Sequence, residues 1–314
     1  MEQRYVVGVD LGGTKIYSAL VDLNGNIINE MTIKTEAEKG SDSVMEKIIN
    51  TIDKVIEGID IKHIKAIGIG SPGPLDSEKG LILYTSNLPF KNFNIVKPIK
   101  DKYKLETYLD NDANVATLGE YMFGAGKDSK NMVFITASTG IGGGAVLNGN
   151  LFRGSTSNAL EVGHMIIMKD GPRCGCGNRG CAEALASGTA IAKAAKDAVK
   201  SNAETTLKGY ENITAREVFK EAENGDKVAK EILDTALTYL GITVSNIANT
   251  FDPDKIVIGG GVSSGGQIVF DKIQEEVNKS ALRTIGQNCK IEKAILGERA
   301  GVLGAAALAI LEVK

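Results

Sequence analysis

A duplication constrains this chain more than any other feature. The segments RYVVGVDLGGTKIYSALVDLNGNII and NMVFITASTGIGGGAVLNGNLF each read as strand, glycine-rich turn, strand, short turn, strand. Asn24-Gly25 is the hairpin turn of the first copy. Two copies of one topology imply two similar α/β lobes with a cleft between them, each offering a backbone loop to one side of a nucleotide's phosphates. A buried hairpin with packing glycines would account for either copy, but it leaves the repetition unexplained. In the first copy the run Tyr5–Val9 ends in Asp10-Leu11-Gly12-Gly13-Thr14-Lys15; in the second, Ser138-Thr139-Gly140 fill the turn. Gly12 and Gly13 permit a tight turn whose amides can face a phosphate. Asp10, at a strand end, can hold Mg²⁺ through water, because that ion takes few carboxylates and keeps its waters. By itself a Gly-Gly between strands is more often only a turn. The loop is not a Walker A motif either, since Thr14 stands where lysine belongs.

The stretch EVGHMIIMKDGPRCGCGNRGCAE, residues 161–183, holds one of two histidines and three of four cysteines. One imidazole and three thiolates, from His164, Cys174, Cys176 and Cys181, are a donor set that tetrahedral zinc prefers. A disulfide between Cys174 and Cys176 would strain a very tight loop and leave a third thiol unpaired. A glycine-rich loop with free thiols is the bland alternative. Four protein ligands leave no position for water, so the ion is read as structural. Such a clip would hold Glu161, Glu183 and the second ring nitrogen of His164 on one rigid wall, as a polar ligand site requires. Either glutamate alone would be a solvated surface charge. The remaining thiol, Cys289, reads as a small packed residue.

That cysteine-rich segment resembles the signature of the ROK family (repressors, open reading frames, sugar kinases), and the resemblance runs from about Val6 to about Ile310. It implies an α/β chain with the two-lobed actin/hexokinase/Hsp70-like (ribonuclease H-like) duplicated fold and a cleft between lobes. One lobe would comprise residues 1–110 plus 300–314, the other residues 111–299 with the zinc motif. The implied activity is ATP-dependent phosphorylation of a hexose, glucose at its 6-hydroxyl first among them. Asp10 to Lys15 match the first phosphate loop of that superfamily, and Ser138, Thr139 and Gly140 the second. Gly259, Gly260 and Gly261 would admit the adenosine; as plain sequence they follow a strand at a helix start and fail the dinucleotide fingerprint at Ser264.

Asp110-Asn111-Asp112 ends a strand and opens the helix ANVATLGEYMF. An Asn or Asp there caps free amides, and without context that reading wins. The chemical reading is a general base, since phosphoryl transfer needs one carboxylate to orient and deprotonate the acceptor hydroxyl. The resemblance reverses the odds, because Asp112 matches the catalytic aspartate of the family's Asn-Asp-Ala-Asn motif. A helix N-terminus would keep it ionised at neutral pH. The rigid loop Ser71-Pro72-Gly73-Pro74 and the turn Ser86-Asn87-Leu88-Pro89 read as turns alone; the resemblance makes Gly73 and Asn87 sugar contacts, beside Asn111, Asp112, Glu161, His164 and Glu183. His63 reads as a surface residue.

Elsewhere the helices follow from periodicity. Val44, Ile48, Ile52 and Val55 share one face, and residues 190–248 are helical throughout, with a buried stretch from Val228 to Phe251. The terminal ERAGVLGAAALAILEVK carries small residues suited to close helix packing, and by resemblance crosses back onto the first lobe as part of a hinge. With 314 residues, 43% hydrophobic and a net charge of −3, the chain can build two cores and offers nucleic acid no electrostatic encouragement. No apolar run reaches the ~18 residues of a membrane span, and no basic-then-apolar leader opens the sequence. With its thiols, this places it in a reducing cytoplasm, as a homodimer or homotetramer by family habit. Rival expectations are a kinase for N-acetylmannosamine, N-acetylglucosamine, mannose or fructose, polyphosphate or ADP as donor, and an inactive sugar sensor. A DNA-binding relative needs a helix-turn-helix before the first strand, where Asp10 leaves no room. Ala182, Leu185 and Phe90-Lys91-Asn92-Phe93 depart from common family residues and bear on the shape of the sugar pocket.

Overall fold

In the computed structural model, which describes residues 4–85 and 87–313, the apolar runs of the two repeats become inner strands of two five-stranded sheets. The first copy supplies β1 (Tyr5–Leu11), β2 (Lys15–Asp22) and β3 (Ile27–Lys34), followed by β4 (Ile64–Ser71). A separate three-stranded sheet comprises β5 (Leu75–Asp76), β6 (Leu81–Tyr84) and β7 (Lys91–Asn94), before β8 (Glu106–Asn111) rejoins the first. The second copy gives β9 (Met132–Ala137), β10 (Ile141–Leu147) and β11 (Asn150–Leu151), with β12 (Lys255–Gly259) and β13 (Lys290–Lys293) far along the chain. The orders are β3-β2-β1-β4-β8 and β11-β10-β9-β12-β13. In each, antiparallel pairing joins strands of the repeat, the repeat's first strand pairs in parallel with one later strand (β1 with β4, β9 with β12), and that strand pairs in parallel with the last (β4 with β8, β12 with β13). The duplication read from sequence is therefore a duplication of topology.

Residue chemistry explains the placement. Val6, Val7 and Val9 of β1 are fully buried, the continuous apolar run of a strand covered on both faces. The edge strand β3 exposes Asn29, Glu30, Thr32 and Lys34, which discourages pairing with another chain. Helix α1 (Ser41–Val55) buries Val44, Ile48, Ile52 and Val55, the four positions sharing its apolar face. Each such side chain contributes about 1.5–3 kcal/mol on leaving water. The remaining helices are α2 (Val96–Tyr103), α3 (Asp112–Phe123), α4 (Ala182–Ala186), α5 (Gly188–Lys200), α6 (Ala215–Glu223), α7 (Lys227–Phe251), α8 (Gln267–Ser280), α9 (Arg283–Asn288) and α10 (Ala300–Glu312).

The chain divides into two compact units: Met1–Asp128, Gly144–Ala159 and Ile295–Lys314 form the first, and Ser129–Gly143 with Leu160–Ala294 the second. These limits differ from the boundaries at 110 and 300 expected from sequence, for a packing reason. A Cβ on Gly304 of α10 would stand 1.7 Å from the Val115 carbonyl oxygen of α3, and one on Gly68 of β4 would stand 1.9 Å from that of Ala305. Helix α10 thus touches both α3 and β4 backbone to backbone. Val115, Leu118, Val146, Ala307 and Leu308 close one apolar cluster around that contact, so α3 stays with the first unit.

Two local expectations change. The glycines after β12 do not open α8 directly; a 3₁₀ turn, Gly261–Gly265, intervenes and Gly266 precedes the helix at φ 89°. His63 is half-buried in a short 3₁₀ turn, while Cys289 is packed as expected. Among the described residues no helix is long and apolar enough to cross a membrane.

Candidate functional site

In the first unit the candidate residues gather at the C-terminal ends of three parallel strands. Asp10 of β1 pairs with Gly70 of β4, and Gly70 and Ser71 pair with Asp110 and Asn111 of β8. Strand ends of a parallel sheet are where such folds bind ligands, because the following loops diverge there. The Asn111 side chain caps α3 by accepting the Ala113 amide at 2.9 Å, so the capping role is already filled beside Asp112. Asp112 accepts the same amide at 2.8 Å and keeps an exposed face. Gly73 lies close to Asn111, with a Cβ on it 3.5 Å from Nδ2, and Gly13 lies against Asn87, with a Cβ on it 2.9 Å from that side chain. The structure therefore groups Asp10, Gly13, Gly73, Asn87, Asn111 and Asp112; Ser86 of the same turn lies outside the described residues.

The electrostatics of this group run opposite to the helix-terminus argument. Burial, the negative charge of Asp112 next, pushes the Asp10 carboxyl up to about 6, against the pull of Lys15. Burial also holds Asp112 above the ordinary carboxylate range, outweighing its amide hydrogen bonds. The expected effect of the helix N-terminus is present but smaller, since the surrounding protein mass takes away more water than the first turn of α3 replaces. Lys15 reaches Glu298 at 3.6 Å, an exposed pair of little consequence for stability. The Gly12 amide donates to the Lys15 carbonyl at 2.9 Å and closes its own turn, while Thr14 is exposed.

In the second unit His164, Cys174, Cys176 and Cys181 place one donor atom each within 4.8 Å of one another. Cys174 Sγ lies 3.7 Å from His164 Nδ1, and Cys176 Sγ lies 3.7 Å from Cys181 Sγ. Zinc–sulfur bonds of about 2.3 Å in a tetrahedron require sulfur–sulfur edges of about 3.8 Å. The donor set and its spacing fit that ion. Burial, and then the neighbouring sulfurs, push the Cys181 thiol up to about 12, so a divalent cation is what would let all three thiols ionise together. With Nδ1 turned to the sulfurs, Nε2 of His164 faces the Glu161 carboxylate at 3.9 Å. Glu183 lies against the second glycine turn: it accepts the Ile141 amide at 3.1 Å, and a Cβ on Gly140 would stand 2.4 Å from Oε2.

The same turn borders a cavity of 990 Å³. Ser138, Thr139 and Gly261 line one side, while Ala192, Ile213 and Phe219 give it an apolar wall. Gly260 precedes at φ 85°, where a Cβ would meet the Ala137 carbonyl at 2.4 Å, and Gly259 packs on Phe134. Sequence reasoning found the glycine turns of this cavity and missed Phe219, Lys193 and Arg216, because single residues on amphipathic helices carry no motif. It also missed Arg153, whose guanidinium is bonded to the buried Asp110.

The ROK family model matches residues 6–312. A glucokinase of Halalkalibacterium halodurans is 37% identical, over 97% of this chain and 94% of that protein. A ROK hexokinase structure from Thermus thermophilus is 33% identical with a TM-score of 0.85, covering 98% and 99% of the two chains. A ROK family glucokinase from Streptomyces griseus, solved with glucose and AMPPNP, is 32% identical with a TM-score of 0.78 over 98% and 99%. A xylose repressor of Caldicellulosiruptor bescii is also similar, 31% identical over 98% of this chain and 78% of its own length.

Proposed function

The chain belongs to the ROK family, and on that premise we propose that it is a sugar kinase that transfers the γ-phosphoryl group of ATP to the 6-hydroxyl of glucose. The observation carrying this reading is the pair of carboxylates, Asp10 at the end of β1 and Asp112 just past the end of β8, the two strands that flank β4, both raised above their ordinary range. A base whose pKa is lifted toward neutrality takes a hydroxyl proton more readily than an ordinary carboxylate. Asp112 accepts the proton of the 6-hydroxyl as that oxygen bonds to the γ-phosphorus, and the bond from phosphorus to the β–γ bridging oxygen breaks, releasing ADP. Sugar contacts are assigned to Gly73, Asn87 and Asn111 in the first unit and to Glu161, His164 and Glu183 in the second. For His164, Nε2 is the nitrogen free to meet a hydroxyl, since Nδ1 faces Cys174.

The apolar wall around Phe219 takes the adenine, with Gly259, Gly260 and Gly261 at its edge. Phosphate contacts are assigned to Gly12, Gly13, Thr14 and Lys15 in the first unit and to Ser138, Thr139 and Gly140 in the second. Asp10 would anchor Mg²⁺ through water, and that ion, when bound, offsets the phosphate charge. A zinc ion in the His164–Cys181 clip would act as a cross-link that stiffens the wall bearing Glu161 and Glu183. The similarity to glucokinases over nearly the full length supports this reading. Similarity to xylose repressors over the same span favours a sugar sensor as the second reading.

The test is ADP release with Mg-ATP across a panel of hexoses and N-acetylhexosamines, with Asp112→Asn as the blank. Glucose should dominate, and the variant should lose about 10²–10⁴-fold in kcat while its sugar affinity stays nearly unchanged. Near-normal turnover by the variant would refute the base assignment. Sugar binding with no turnover in the unmodified protein would transfer the assignment to the sensor.

A further inference from the structure

We propose that Arg153 is a positioning residue for phosphoryl transfer, setting the base Asp112 through the buried carboxylate of Asp110. The proposal rests on the kinase reading above. Asp110 is fully buried and immediately precedes the Asn111-Asp112 turn. One of its oxygens accepts the Asn111 amide at 2.8 Å and the Asn114 side-chain amide at 2.8 Å. The other accepts Arg153 Nε at 2.6 Å. The carboxylate thus ties together the end of β8 and the first turn of α3, the two elements that carry the base. Among the described residues, Arg153 is the only cation within ion-pair distance of Asp110.

A buried carboxylate stripped of its cation takes a proton or draws in water, and either change alters the bonds that shape the turn. Near-attack geometry tolerates little of this: a displacement of about 1 Å at a reacting group can cost roughly 10²-fold. The guanidinium also holds Glu312 of α10 at 2.6 Å. A planar donor fork serves two carboxylates in fixed directions, whereas a lysine ammonium is a single point donor.

Arg153 lines a cavity of 760 Å³, which admits small solutes to the guanidinium position. The test therefore compares Arg153→Ala, Arg153→Lys and Glu312→Gln with the unmodified protein, measuring kcat, sugar Kd by calorimetry, and rescue by added guanidinium. Arg153→Ala should lose at least tenfold in kcat, with sugar Kd changed by less than about threefold. Arg153→Lys should recover part of the loss, and millimolar guanidinium should restore Arg153→Ala but leave Glu312→Gln, itself within twofold of normal, unchanged. If Arg153→Ala keeps kcat within twofold, or if its loss is matched by sugar Kd and not relieved by lysine or guanidinium, the positioning role is refuted. Should Arg153→Ala fail to fold, Arg153→Lys decides alone: an unaltered kcat refutes the role. An unmodified protein that turns over no sugar overturns the kinase reading and this role together, whereas the variant results overturn only the role.

Discussion

Replacing Asp10 by asparagine should stabilise the protein while abolishing its turnover. The carboxyl is lifted from 3.8 to about 6, a difference worth at most about 3 kcal/mol at 1.36 kcal/mol per tenfold change in proton affinity. The folded state binds this proton more tightly than the unfolded chain. Well below pH 3.8 Asp10 is protonated in both states and costs nothing. The penalty grows between 3.8 and about 6 and is complete above that. Asparagine keeps the shape and removes the charge. Since part of the side chain remains open to water, the gain for Asp10→Asn at pH 8 should fall at about 1–3 kcal/mol, shrinking to nothing below about pH 3. Urea denaturation of both proteins at matched pH reads this as a midpoint shift with an unchanged slope. Saturating Mg-ATP should narrow or reverse the ranking, because a ligand at a hundredfold its Kd adds about 2.7 kcal/mol to whichever protein binds it. A variant less stable than the parent at pH 8, or a difference that does not vary with pH, would refute the reasoning. A stabilised but inactive variant would show a site that keeps an unfavourable charge for its chemistry.

Two further outcomes follow from the geometry. Elemental analysis should find one zinc per chain, and Cys181→Ser, at a fully buried ligand position, should lose the metal and weaken sugar binding at least tenfold while nucleotide binding persists; full sugar affinity in a metal-free protein would end the structural-zinc reading. Gly304→Ala should destabilise by about 3 kcal/mol or more, because its Cβ would stand 1.7 Å from the Val115 carbonyl; an unshifted urea midpoint would contradict the backbone contact between α10 and α3.

Much of this molecule is legible in its sequence. The repeat specified two sheets of equal order, because strand periodicity and glycine turns are local properties of the chain. The cysteine spacing specified a four-donor cluster for a similar reason: three of its members lie within eight residues, so a short loop alone brings them together. The Asn-Asp cap was legible as a helix start, though not the division of labour in which Asn111 caps and Asp112 keeps an exposed face.

What tertiary structure decided depends on partners distant in sequence. The boundary of the first unit moved because Gly304 lets α10 lie against α3, a contact spanning nearly two hundred residues. The direction of the Asp10 and Asp112 shifts was set by burial, which no local window of sequence records. Arg153 has no motif around it; only folding brings its guanidinium to Asp110, forty-three residues earlier. Local chemistry chose the elements and the candidate residues, while the desolvation and charge pairing that tune them arose only when the chain closed on itself.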